Sequence, residues 1–255
     1  MAATDPGAQQ RAERNERAER AQLAPRPEHH HRDVRSGSAR AAVFGVSDGL
    51  VSNVSLILGV AGANPGAGVV RLAGLAGLIA GAVSMAAGEY VSMKAQNELL
   101  QRELDIERRE LRRNPHVETV ELSQIYQSRG VDPDRARELA EEMMRDPDLA
   151  LQTHAREELG IDPNQLGSPN GAALSSFLSF AVGALVPLLP WFFGSGTAAV
   201  IASVVLGLVA CAVVGGLLAR FTGRSVLFSA ARQMIIATVA GGVTFLVGSL
   251  VGVGV

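Results

Sequence analysis

Two sets of residues have the types and spacing to hold a cation. Glu103, Glu107 and Glu110 lie at i, i+4 and i+7 within QRELDIERREL, so a helix places them on one stripe. Arg108, Arg109, Arg112 and Arg113 fall mainly on the opposite face, beside Asp105. A helix that is merely solvated pairs each Glu with a basic residue four positions on. Here the residues four after Glu103, Glu107 and Glu110 are Glu107, Leu111 and Asn114. Like charges crowded this way repel unless a bound cation neutralises them. Glu118 and Glu121 repeat the spacing after Asn114-Pro115, and Met143-Met144 follow Glu138, Glu141 and Glu142. The second set is embedded in apolar sequence. Asp48 lies within AAVFGVSDGLVSNVSLILGVAGA, where a carboxylate costs about 2.5–3.5 kcal/mol on insertion scales and marks an ion or proton path. Met85 precedes Met93 by two helical turns and Asp48 follows Ala41 by two, so on antiparallel helices both sit about 10–12 Å from the same end. Glu89 stands one turn from Met85 on the same face. Two carboxylates and a thioether suit a borderline divalent transition metal better than Mg²⁺.

The partition of charge says which elements must carry these residues. The chain has 255 residues with a net charge of −2, and 17 of its 25 acids lie between Lys94 and Asp162. Residues 41–93 and 170–255 hold only Asp48 and Glu89. A soluble domain spreads its charge over its surface; this pattern predicts a bilayer. The expected fold is all-α, with five transmembrane helices and a helical module between spans two and three. Residues 1–38 read as a charged tail without an apolar stripe, including His29, His30 and His31 beside Glu28 and Asp33. Residues 39–93 supply spans one and two as a hairpin turned at Asn64-Pro65-Gly66. Residues 94–165 form the module, and residues 170–255 supply spans three to five. No Pro or Gly interrupts residues 89–113, so span two is expected to continue into the module as one helix that stops at Asn114-Pro115. Asp132-Pro133 and Asp146-Pro147 open further helices, each with a capping side chain ahead of Pro. Gly74, Gly77 and Gly81 form a small-residue face expected to serve dimerisation. Arginine placement puts the tail, the module and the Arg220/Arg224 loop on one side, expected to be cytoplasmic.

Several classes are excluded or disfavoured. Cys211 is the only cysteine, so neither an intrachain disulfide nor a cysteine metal site is available. The first 40 residues lack a short apolar core, so no cleaved leader is expected. There is no nucleophile–base constellation, phosphate loop or cofactor fingerprint; the chain is not expected to be an enzyme, to hold a resident cofactor or to bind nucleic acid.

On AAVFGVSDGLVSNVSLILGVAGA, GLIAGAVSMAAGEYVSMKAQ, the ERREL segment and HAREELGI, the chain resembles the vacuolar iron transporter family over about residues 38–255. The resemblance implies a homodimer with the ion path at the subunit interface and a cytoplasmic metal-binding module. It also implies proton-coupled movement of Fe²⁺, and of Mn²⁺ in some members, out of the cytosol. The membrane would be a vacuolar one in a eukaryote and the plasma membrane in a bacterium. By motif it assigns Asp48 and Met85 to the membrane site. Glu107, Glu110, Glu118 and Glu121 go to the module, with Met143 and Met144, and a last module glutamate finds no counterpart at Asp146-Pro147-Asp148. Two other readings compete: a Ca²⁺ or Mg²⁺ carrier, against which the methionines argue, and a membrane-anchored protein whose acidic module docks a partner.

Overall fold

The computed structural model describes residues 37–163 and 166–252, and these are all-helical. His29–His31 and the rest of the tail lie outside the described residues. In chain order the helices are α1 (Gly37–Gly62), α2 (Ala67–Arg113), α3 (Pro115–Ser128), α4 (Pro133–Met143) and α5 (Pro147–Glu157). Then come α6 (Pro169–Leu188), the short α7 (Pro190–Phe193), α8 (Gly196–Thr222) and α9 (Val226–Gly252). Five of them, α1, α2, α6, α8 and α9, are long and apolar enough to cross a membrane.

The apolar bundle is built around α1, which packs against α2, α6, α8 and α9. Its Leu50, Val54, Ile57 and Leu58 are buried. Small residues allow that central position. A Cβ on Gly49 would overlap the backbone carbonyl of Phe180, and one on Gly183 would overlap that of Val46, so α1 and α6 touch backbone to backbone. In lipid such close van der Waals contact, not exclusion of water, holds helices together. Polar side chains finish the seams. Asn53 Nδ2 donates to the Ala184 carbonyl at 2.6 Å, Ser203 Oγ to that of Pro187 at 2.7 Å, and Thr244 Oγ1 to that of Ser55 at 2.7 Å. Pro187 and Pro190 remove backbone donors, and α6 stops at Leu188. Trp191 of α7 turns back into a core with Ile57, Val70, Leu188 and Ala199.

The 47 residues of α2 form one continuous helix, about 70 Å long, that leaves the apolar bundle and enters the acidic region. There it packs against α3 and α5, while α4 packs mainly on α3. Leu104, Leu151 and Ala155 make a small core with Leu111 beside them. The Asp-Pro starts behave as their sequence suggests. Asp132 accepts from the amides of Asp134 and Arg135, and Asp146 from those of Asp148 and Leu149. Asn114 differs: its side chain makes no cap bond, and α2 hands over to α3 through the backbone instead.

The glycine face of α2 also makes contacts within the chain. The space beside Gly77 is taken by Leu56 and Asn53 of α1, and that beside Gly81 by the Phe180 ring of α6. These glycines serve packing within the chain.

Candidate metal centres

The acidic region gathers its ligands from three helices. Glu107 of α2, Glu118 of α3 and His154 of α5 are all buried, and His154 is fully so. From His154 Nδ1 the carboxylate oxygens lie at 3.1 Å (Glu107), 3.8 Å (Glu118) and 3.7 Å (Glu158). Ligand atoms of Glu107, His154 and Glu158 all fall within 4.8 Å of one another. Glu107 Oε1 and both imidazole nitrogens make no well-directed hydrogen bond. Buried polar atoms without partners are costly, and a cation drawn between Glu107 Oε1 and His154 Nδ1 would satisfy both. The leucine and alanine contacts between α2 and α5 close one side of the group; Glu158 is exposed and leaves the other open.

The electrostatics agree with the geometry. Burial raises the Glu118 carboxyl above its usual range, the Glu107 charge raises it further, and Glu121 and Glu110 add to this. His154 pulls the other way without prevailing. Glu158 is raised by burial, then by Glu107 and Glu121. Burial alone would lower the His154 imidazole, but Glu107, Glu118 and Glu158 outweigh it and the net shift is upward. Each shift records a charge excess that a divalent cation would relieve. Several carboxylates with one imidazole form a donor set for a borderline divalent metal.

Of the residues singled out from sequence, Glu107 and Glu118 lie at the centre of this group. Glu110 and Glu121 sit close enough to act on it electrostatically. Glu103 is half-buried one turn away, outside the close group. Met143 and Met144 end α4 half-buried, on a helix that packs on α3. Asp146 is engaged as the α5 cap. Glu158, within HAREELGI, is a further carboxylate that the structure brings to this group. His154 and Glu158 were legible in principle: they stand four apart, on one face of α5.

The second centre lies in the bundle. Asp48 and Met85 line one cleft of about 280 Å³ between α1, α2 and α6. Ser52 and Ser84 add hydroxyls to it, and Phe180 forms its apolar wall. Ser52 Oγ donates to Asp48 Oδ1 at 2.9 Å, holding the carboxylate on the open side of α1. Glu89, one turn beyond Met85, is half-buried and does not line the cleft. Met85 and Glu107 are separated along α2 by about 33 Å, so one continuous helix carries a candidate ligand of each centre.

Comparison with known proteins covers the region that holds both groups of residues. A model of the VIT family matches residues 39–249, which include both centres. Vacuolar iron transporter 1 of Oryza sativa subsp. japonica is 35% identical over 216 residues, 83% of this chain and 86% of the relative. A vacuolar iron transporter of Acanthamoeba castellanii is 39% identical over 222 residues, 84% and 79% of the two chains. Vacuolar iron transporter 1 of Tulipa gesneriana is 33% identical over 202 residues, 79% and 82%. With these matches spanning all five apolar helices and the acidic helices between them, the chain belongs to the VIT family.

Proposed function

We propose that this protein is a divalent transition-metal transporter that moves Fe²⁺, and also Mn²⁺, out of the cytosol in exchange for protons. The observation that carries this reading is that α2 joins a partly buried Glu–His–Glu group to the Asp48–Met85 cleft. The acidic helices collect the ion on the cytoplasmic side, as the arginine distribution along the chain supports. The ion then passes to Asp48 and Met85 within the bilayer. Asp48 and Met85 face an open cleft in the single chain, which suits a homodimer whose partner completes the path. The relatives named for vacuolar iron transport support iron as cargo and a vacuolar-type or equivalent membrane as the site.

A proton and a metal ion compete for the same carboxylate oxygens. Acid on the far side therefore drives metal release from Asp48. The experiment is uptake of Fe²⁺ into vesicles containing the purified protein, with an imposed pH step and an internal metal-sensitive dye. Asp48→Asn keeps the shape and removes the titrating group, and it is expected to abolish gradient-driven uptake. Normal uptake with normal pH dependence in that variant would overturn the proton-coupled site.

A further inference from the structure

The cleft has a polar atom that Asp48 and Met85 do not explain. Asn53 of α1 lines it and is only 2% exposed. Its Nδ2 is committed to the Ala184 carbonyl of α6 at 2.6 Å, which fixes the orientation of the amide. The other end, Oδ1, then lies 3.1 Å from where a Cβ on Gly77 of α2 would be. That oxygen accepts no hydrogen bond. A bare amide oxygen in apolar surroundings is unfavourable; this one is buried beside Gly77 and Leu56 in the lining of the cleft. Leu56, one turn of α1 past Ser52, packs on Gly77 at the same level, so Asn53 is the last polar group before an apolar closure.

Resting on the transport reading above, we propose that Asn53 Oδ1 is a direct ligand for the transported divalent ion, taken up after Asp48 and Met85. The step is about 7.5 Å along α1. A neutral oxygen suits that position. It replaces part of the hydration shell of the ion without holding it as a carboxylate would, and an ion in transit must be able to leave. The side chain thus has two ends with separate tasks: the N–H clamps α1 to α6, and the oxygen meets the ion.

Two substitutions separate these tasks in the full chain reconstituted in vesicles, with Mn²⁺ as the probe. Asn53→Leu removes both ends at similar volume, whereas Asn53→Asp removes the N–H donor and keeps an oxygen, now charged. Asn53→Leu is expected to lower flux about tenfold or more. Asn53→Asp is expected to keep measurable flux while the half-saturating Mn²⁺ concentration falls about threefold or more, because a carboxylate holds the ion more tightly. A clamp alone would not produce that fall. Parental flux in Asn53→Leu overturns the proposal, as does equal impairment of both variants with an unchanged half-saturating concentration. If Asn53→Leu is not monodisperse, Asn53→Asp decides by its half-saturation value alone. Asp48→Asn is run beside them. Loss of flux there with normal flux in Asn53→Leu sinks only the Asn53 assignment; absence of flux in the parent protein sinks the transport reading itself.

Discussion

At the scale of single residues, the acidic group is held in a state that favours protons until metal arrives. Glu118, Glu158 and His154 all have raised pKa values when the site is empty. A group whose folded pKa is raised contributes stability that is complete below its unfolded value and is lost as pH rises through the folded one. The metal-free protein should therefore lose stability as pH rises from about 4.5, where carboxyls ordinarily titrate, through the His154 range above about 6.5. Metal binding has the opposite sign, since it displaces those protons and strengthens with rising pH. Glu118→Gln mimics the protonated form. Without metal at pH 8 it should raise Tm by about 2–4 °C, corresponding to about 1 kcal/mol, yet it should weaken metal binding. Thermal melts with and without Mn²⁺ test both halves, and a lower metal-free Tm would contradict the assigned repulsion. His154→Ala should weaken Mn²⁺ binding by about 10–100-fold, whereas Arg109→Ala should change it little. Calorimetry on the purified full chain distinguishes the two.

At the scale of elements, glycine decides which helices can touch, and the obstacle facing each new side chain sets the cost. At Gly81 the obstacle is the Phe180 ring, itself buried but able to shift. At Gly49 it is the Phe180 backbone carbonyl, which moves only if α6 moves. Gly81→Ala should cost about 1–3 kcal/mol as ordinary overpacking, and Gly81→Ala with Phe180→Leu should recover most of it. Gly49→Ala should melt lower than Gly81→Ala, and Phe180→Leu should not rescue it. Melting temperatures of the four variants in detergent check this; equal effects at the two glycines would mean that α1 and α6 are not backbone-packed.

At the scale of the whole molecule, α2 is the element that spans both candidate centres. Its polar half has few contacts with the bundle beyond its own backbone continuity and the link of Asn97 Nδ2 to the Gly167 carbonyl at 2.7 Å. A proline in that stretch would remove a helix hydrogen bond and kink the rod, at about 3 kcal/mol or more. Ala95→Pro is therefore expected to leave Mn²⁺ binding by the acidic helices within about threefold, since their core lies beyond the kink. Vesicle uptake should fall sharply, because the loaded group is no longer aligned with the cleft. Normal uptake in this variant would show that the ion reaches Asp48 without guidance from α2.

The length and apolarity of the five helices, the uninterrupted course of α2 and the Asp-Pro starts were legible in the sequence. Each depends on residues close together in the chain: hydropathy over a window, the absence of Pro, a cap two residues from its amide. The stripe of Glu107 with Glu110, and the matched depth of Asp48 and Met85, followed from helix periodicity alone. What the stripe faces did not. Periodicity places His154 and Glu158 on one face of α5 but cannot say that this face meets Glu107, because that depends on how α2, α3 and α5 pack around Leu104, Leu151 and Ala155. For the same reason nothing in the sequence around Glu107 announces the histidine and the glutamate that the tertiary fold brings beside it. The neighbours of Gly77 and Gly81 within the chain were likewise decided only in three dimensions: a small residue permits close approach, but the side chain that approaches is chosen by the whole bundle.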